Sequence, residues 1–261
     1  MPAPPGHSWR WLLANFLKRE VSSRYTGSMG GILWALASPL VQLALYALVF
    51  GVLLRAPADA LGGWRFPAFL AIALWPWLMF GDSVKRAMDC IPANTSLIRK
   101  VAFPHELLIV AAVGGTFFIH LLGWAAVLVA LRLWGEPVSF AGLLLALPLL
   151  AAQFAFTLGV GAFLAALQVV LRDVEQAVGL ALTVVFYATP IVYPLALIPA
   201  PYRDWLALNP LAYVVTRYRD LLSGAGGWQP GDIGVMVASL ATLAAGLWVF
   251  RRLSPWFEDL L

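Results

Sequence analysis

Six long apolar stretches run along the chain, separated by shorter polar segments. They lie at residues 29–54, 67–84, 106–131, 140–171, 177–197 and 233–250. Because a helix that crosses the hydrocarbon layer needs about 20 apolar residues, each stretch is a candidate transmembrane helix. Gly81 and Asp82 interrupt the second stretch, but Lys85 and Arg86 close it with side chains long enough to reach the head groups. The pattern predicts an all-α integral membrane protein whose six transmembrane helices form one domain over residues 1–261.

Two further segments are apolar only in part. Over residues 9–26, Trp9, Leu12 and Phe16 recur at helical spacing with cations on the other sides, which predicts an N-terminal amphipathic helix in the inner interface. Such a helix is either a plain anchor or a lever that meets a cytoplasmic partner. Residues 198–224 hold apolar patches that prolines interrupt. Each patch is too short to span, so the segment predicts re-entrant outer helices between spans five and six, or an amphipathic cap.

Composition and charge agree with a membrane protein and indicate its orientation. Hydrophobic residues make up 62% of the chain and charged residues 11%, against about 25% charged in an average globular protein. If both termini are cytoplasmic, most Lys and Arg residues, including every lysine, fall on inner segments, as the positive-inside rule requires. The net charge of +4 then reflects topology and contact with anionic membrane lipids, and no nucleic-acid partner is predicted.

The sequence lacks the motifs of several kinds of active site. No Gly-x-x-x-x-Gly-Lys-Ser/Thr string occurs, so the chain is not expected to bind nucleotide phosphates through a P-loop. One cysteine and three scattered histidines predict no metal site, and no catalytic residue or cofactor is predicted in this chain. The 13 acidic residues are expected at span ends or in loops, which argues against an ion-coupled carrier and a metal-dependent membrane transferase.

A membrane serine protease is a further catalytic alternative. The string Gly27-Ser28-Met29-Gly30 would need a base that activates Ser28. His120 is expected in the middle of another helix with no acid to orient it, which disfavours this alternative. The sequence therefore indicates a conduit without a driving force of its own.

A series of strings, in a fixed order, resembles the permease subunit of polysaccharide-exporting ABC transporters. This family includes O-antigen and capsule exporters and lies within the type-2 ABC exporter superfamily. The resemblance covers about residues 10–252. The matching strings are Arg19–Pro39, Asn94–Pro104, Leu171–Val174, Thr189–Pro194, Asn209–Leu211 and Arg219–Leu221.

The resemblance implies a permease that pairs with a second copy of itself and with two separate ATPase subunits. ATP and Mg²⁺ would then bind the partner ATPase, and this chain would not itself be an enzyme. Residues 93–104 would form the cytoplasmic loop that couples the permease to the ATPase. The candidate coupling residues are Asn94, Leu97, Ile98, Arg99, Lys100, Phe103 and Pro104.

The resemblance also implies a channel lined by the first and fifth spans and an outer gate formed by residues 198–224. The candidate glycan contacts are Tyr46, Phe50, Phe186, Tyr187 and Tyr193. The candidate gate residues are Asn209, Pro210, Arg217 and Arg219. We expect aromatic faces to suit a sliding sugar polymer because they stack on sugar C–H surfaces without fixing one register.

The leading expectation is the export of a lipid-linked polysaccharide, O-antigen or capsular, across the inner (cytoplasmic) membrane. The alternatives are a type-2 permease for a teichoic-type polymer, a lipid or a drug, and a membrane-embedded lipid-linked glycan transferase. An ion-coupled carrier is a further alternative. The resemblance leaves open whether a periplasmic or outer-membrane export partner docks on the chain.

Overall fold

A computed structural model describes residues 9–23, 33–54, 57–171 and 173–260, and within these ranges the chain contains helices and turns but no strand. The α-helices are α1 (Trp9–Ser23), α2 (Leu33–Tyr46, continued by a π-helix over Ala47–Leu53), α3 (Phe66–Cys90), α4 (Thr95–Ile98), α5 (Glu106–Leu133), α6 (Phe140–Val170), α7 (Val174–Tyr187), α8 (Ala200–Ala207), α9 (Pro210–Leu222), α10 (Pro230–Leu253) and α11 (Phe257–Leu260). Short 3₁₀ turns lie at Ala58–Ala60, Pro92–Asn94, Leu195–Leu197 and Ser254–Trp256.

Four of the described helices, α3, α5, α6 and α10, are long and apolar enough to cross a membrane. They occupy the second, third, fourth and sixth predicted spans. Two shorter apolar helices, Ala37–Leu53 and Val174–Tyr187, occupy the first and fifth. Residues 29–32 of the first predicted span, and residues 24–26 of the predicted amphipathic helix, lie outside the described residues.

The fifth predicted span differs most from the structure. Its helix, α7, ends at Tyr187, and residues 188–194 form turns where the sequence predicted a helix to Leu197. Pro190 and Pro194 explain the early end, because a proline lacks the N–H that would continue the helix and its ring clashes with the preceding turn. Ile191 and Val192, just after the first proline, are buried in the core.

Helix α3 forms the centre of the bundle. Nearly all its side chains from Ala68 to Trp77 are buried, and it packs against α5, α6 and α9. Glycines allow the closest helix crossings: a Cβ on Gly246 of α10 would lie 2.0 Å from the carbonyl oxygen of Gly159 on α6. A Cβ on Gly142 would lie 1.8 Å from the carbonyl oxygen of Leu221 on α9. These crossings follow the small-residue rule for helices packed in a membrane.

Both ends of the described chain lie at one end of the bundle. Helix α1 runs along the start of α5, and Glu20 of α1 pairs with Arg86 near the end of α3. Phe257 of α11 is fully buried in a second apolar cluster with Ile98 and Phe103. The N-terminal helix, the C-terminal helix and the loop between α3 and α5 are therefore neighbours.

Candidate functional site

Four of the five predicted glycan contacts form one aromatic cluster between α2 and α7. The Tyr46 ring lies 5.5 Å from the Phe186 ring and 6.3 Å from the Phe50 ring, and the Phe186 ring lies 5.1 Å from Tyr187. Trp77 of α3 joins the cluster, with its ring 5.6 Å from Phe186. The predicted glycan contacts did not include this α3 residue, because the resemblance places the channel on the first and fifth spans.

Tyr193, the fifth predicted contact, joins the cluster by another route. Its hydroxyl donates a hydrogen bond to the Tyr187 carbonyl oxygen at 2.6 Å, across the turn that follows α7. Phe50 lies in the π-helix, whose wider turn continues α2. π-Helical segments inside longer helices are frequent at functional sites. Phe50 follows Tyr46 by four residues, and the two rings lie on the same side of the helix.

A polar cavity of about 270 Å³ lies against the aromatic cluster, between α2, α3 and α7. A second polar cavity of about 260 Å³ lies next to it, between α2, α3 and α5. The side chains of Gln42, Leu78 and Asp82 line both. The polar or charged residues that line one or both are Ser38, Gln42, Tyr46, Asp82, Lys85, His120, Thr183 and Tyr187.

The structure corrects the expectation that every acidic residue lies at a span end or in a loop. Asp82 lies inside α3, about two turns before the helix ends at Cys90. It also corrects the expectation that His120 has no acidic partner, because His120 Nε2 lies 3.0 Å from Asp82 Oδ2. The spacing of residues could have indicated this site, because Leu78, Asp82 and Lys85 share one face of α3 and this face is only partly buried.

Ser28 lies outside the described residues, so the structure does not test the serine-protease alternative.

The seven predicted coupling residues divide into a buried set and an exposed set. Ile98 and Phe103 are buried in the apolar cluster that also contains Phe257 of α11, and the Phe103 ring lies 5.7 Å from Phe16 of α1. Leu97 is half-buried. Arg99, Lys100 and Pro104 are exposed. The buried side chains fix the loop to the bundle, and the exposed ones remain available to a partner.

Asn94, the first of the predicted coupling residues, connects three elements. Its amide donates to the Cys90 carbonyl oxygen at 2.7 Å, and its side-chain oxygen accepts a hydrogen bond from the Arg19 guanidinium of α1. Arg86 Nη2 donates to Glu20 Oε2 at 2.9 Å, and Glu20 is the next residue of α1 after Arg19. The loop, the end of α3 and the amphipathic helix are thus joined by polar contacts as well as by packing.

The predicted gate residues are held by protein partners. Asn209 caps α9 by accepting a hydrogen bond from Leu211 N at 3.0 Å, and Pro210 takes the first helical position, where it has no N–H to satisfy. The Asn209 amide donates to Thr189 Oγ1 at 2.9 Å. This contact ties α9 to the turn that follows α7.

Arg217 and Arg219 are both buried, although the sequence placed them on an outer connection. Arg219 donates to the carbonyl oxygens of Phe69 at 3.0 Å, Pro190 at 2.6 Å and Ile191 at 2.8 Å. Its guanidinium carbon lies 3.3 Å from the centre of the Phe69 ring. Arg217 Nε donates to Asp232 Oδ1 at 2.8 Å. These contacts fix α9 against α3, α10 and the turn after α7.

The described residues thus form a multi-pass helical membrane protein, with a polar and aromatic site between helices and a basic loop at one end. Among them, no three His, Cys, Asp or Glu side chains are grouped so as to hold a metal ion. The sequence matches the ABC-2 type transporter family over residues 12–222. Because that match covers most of the chain, the protein belongs to this family.

Similar proteins of known role span nearly the same length. The chain is 32% identical to the O-antigen export system permease protein RfbA of Myxococcus xanthus, over 82% of this chain and 80% of that protein. It is 29% identical to the RfbA permease of Klebsiella pneumoniae, over 96% and 95% of the two chains. It is 24% identical to the polysialic acid transport protein KpsM of Escherichia coli, over 89% and 90%.

Proposed function

We propose that this chain is the permease subunit of an ABC transporter that exports a lipid-linked polysaccharide across the cytoplasmic membrane. The similar proteins from M. xanthus, K. pneumoniae and E. coli are named for O-antigen export or polysialic acid transport, and they align over most of their length. The observation that carries the proposal is the aromatic cluster beside polar cavities between α2, α3 and α7. A teichoic-type polymer, a lipid or a drug is the alternative cargo.

The site suits a sugar chain because it combines two kinds of contact. Flat rings, such as those of Trp77 and Phe186, can stack on the apolar faces of sugar rings, and polar side chains of the cavity can bind hydroxyl groups. Contacts to rings are tolerant of small shifts, so a polymer can slide past them. The five sequence-predicted glycan contacts keep this role as a proposal.

The exposed faces of α2 and α7 support pairing with a second copy of the chain. Helix α7 buries one stripe, while Leu180, Val184 and Tyr187 are more than half exposed. On α2, Val41 and Leu45 are also more than half exposed. A second copy placed against these faces would enclose the aromatic cluster and complete a channel. In this arrangement α2 and α7, with their flanking segments, complete six membrane crossings per copy.

The end of the bundle that holds both termini would face the cytoplasm and two copies of an ATPase subunit. ATP and Mg²⁺ would bind that subunit. The 93–104 loop would transmit its closure, because buried Ile98 and Phe103 fix the loop to the bundle while Arg99 and Lys100 face outward. Asn94 would draw α1 along, since Arg19 of α1 binds its side chain. In this proposal α1 is a lever in the inner interface.

The opposite end would face the outside, with α8 and α9 as the re-entrant segment. Helix α9 is 13 residues long, too short to cross a membrane, and it lies against α3 and α6. Asn209, Arg217 and Arg219 hold it against neighbouring elements through hydrogen bonds. Opening the outer gate would require some of these contacts to exchange partners.

Charge reversal on the exposed part of the loop tests the proposed coupling. We expect the double variant Arg99→Glu with Lys100→Glu to lower ATP-dependent export at least about tenfold, because these side chains would face the ATPase and reversed charges across a contact repel where the native ones attract. Ile98 is a poor choice for this test, since it is buried and its replacement would disturb packing.

The readouts are export in reconstituted vesicles and copurification of the ATPase subunit with the permease. Arg132→Glu is the matched control, because Arg132 is also exposed but lies at the opposite end of the bundle. If the double variant folds, exports and copurifies like the wild type, the loop is not the coupling element.

A further inference from the structure

One contact between two titratable side chains in the bundle differs from the others in its setting. Asp82 of α3 and His120 of α5 approach to 3.0 Å between Oδ2 and Nε2. His120 lies near the middle of the 28-residue helix α5, and Asp82 lies about two turns inside the end of α3. Ionisable groups at such depth are energetically costly in a membrane protein, and they commonly mark a pathway or a binding site.

The two partners are enclosed to different degrees. The His120 side chain is 8% exposed, whereas the Asp82 side chain is 45% exposed. Asp82 lines both polar cavities, and His120 lines the second of them. The more buried His120 thus contacts Oδ2 of Asp82, and the more exposed Asp82 carboxylate borders both cavities.

The Arg217–Asp232 pair offers a comparison within the same chain. Both of its side chains are at most 3% exposed, and Tyr213 and the Gln229 N–H also bind Asp232. A pair that serves only to fasten helices together is expected to be enclosed in this way, because an unsatisfied buried charge is costly. The open carboxylate of Asp82 does not fit that purpose.

The residues around Asp82 define the chemistry that it would bind. Gln42 and Lys85 bring hydrogen-bond donors to the first cavity, and Lys85 lies one turn from Asp82 on the same face of α3. Trp77 and Phe186 line the same cavity with aromatic rings. A carboxylate acceptor, nearby donors and flat apolar surfaces match a sugar ring, whose hydroxyls both donate and accept hydrogen bonds.

We propose that Asp82 is a binding residue for the hydroxyl groups of the transported glycan, and that His120 is a positioning residue that holds its carboxylate toward the cavities. The inference rests on the proposed function and adds a polar subsite to the aromatic one. Ionised acceptors make stronger hydrogen bonds than neutral ones. Asp82 thus supplies the strongest single acceptor among the residues that line the first cavity.

Binding of a defined oligosaccharide to the permease–ATPase complex tests this inference. The probe is the oligosaccharide that mild acid releases from the surface polysaccharide of the producing cells, tritium-labelled at its reducing end, and the readout is the Kd from equilibrium dialysis. We expect Asp82→Asn, a nearly isosteric change, to raise the Kd about tenfold, because a charge-assisted hydrogen bond becomes a neutral one. Asp59→Asn, at an exposed position in the Ala58–Ala60 turn, should leave the Kd unchanged.

Variants of His120 separate positioning from folding. His120→Gln keeps an N–H that can reach Asp82 and should stay within about threefold of the wild-type Kd, whereas His120→Leu should approach the Asp82→Asn value. The melting temperature of each complex is measured in parallel. A lower melting temperature with an unchanged Kd would show that the pair only fastens α3 to α5, and it would overturn the inference.

Export by the same complexes distinguishes this inference from the proposed function. If the wild type exports polysaccharide with ATP, yet Asp82→Asn binds the oligosaccharide as tightly, the proposed function stands and the subsite is wrong. Wild-type export without measurable oligosaccharide binding would also contradict the subsite. If an imposed proton gradient drives wild-type export without ATP, and Asp82→Asn abolishes it without changing the Kd, the pair is a proton relay and the inference is again wrong.

Discussion

Replacing Gly246 with alanine is expected to destabilise the permease strongly. The new Cβ would lie 2.0 Å from the Gly159 carbonyl oxygen, where α10 crosses α6. The atom in the way belongs to the backbone, so the helices would have to separate, and interiors at crystal-like density resist this. We expect a loss of about 3 kcal/mol, near the upper end for overpacking, which lowers the melting temperature in detergent by about 10 °C.

Gly234 on the same helix provides the matched control. A Cβ there meets no heavy atom within 4 Å, so Gly234→Ala should be neutral, or slightly stabilising because alanine favours the helix. Melting temperatures come from fluorescence-detected size-exclusion chromatography after heating. Equal melting temperatures for the two variants would contradict the close crossing of α6 and α10.

The second large effect is expected at the enclosed pair of Arg217 and Asp232. Arg217→Met leaves the Asp232 carboxylate buried beside the start of α10 without its main cation, and Asp232→Ala leaves the guanidinium in the same position. Breaking a buried pair on one side costs about 3–5 kcal/mol. We therefore expect each single variant to lose most of its folded yield in membranes.

A double variant tests whether the loss comes from the unpaired charge. Arg217→Met with Asp232→Ala removes both charges, so it should recover much of the yield that either single change loses. Asp220→Asn is a second control, because Asp220 lies 3.4 Å from Arg217 but its side chain is 49% exposed, and exposed pairs contribute little. If the double variant loses as much folded yield as the two single variants together, the two residues act independently, and their pairing does not hold α9 against α10.

Hydropathy alone was enough to predict the long helices. Four of the predicted apolar stretches form helices long enough to cross a membrane. A run of about 20 apolar residues is stable in the hydrocarbon layer as a helix, because the helix satisfies its own backbone hydrogen bonds. The same measure overestimated α7, since Ile191 and Val192 are apolar but pack in a turn. Pro190 and Pro194, on either side of them, indicate the end of the helix, but a hydropathy average over a window of residues does not show the effect of single prolines.

Contacts between distant residues could not be read from the pattern. The Asp82–His120 contact joins residues on two helices, and only the packing of α3 against α5 brings them together. The five glycan contacts were predicted as a set from the resemblance, which left Trp77 out because it places the channel on the first and fifth spans and not on α3. The sequence also did not show which side of the 93–104 loop is buried, since Ile98 packs in a cluster whose members, Phe257 among them, lie far apart along the chain.

The central claim is that this chain forms a passive pathway and that a separate ATPase supplies the work. The most direct test reconstitutes the purified chain in liposomes with the lipid-linked polysaccharide of the producing cells, with and without the ATPase subunit. The account predicts ATP-dependent movement of the polysaccharide only when both subunits are present, and none from a proton gradient alone. Transport, or covalent change of the polysaccharide, by the chain without its ATPase would contradict it.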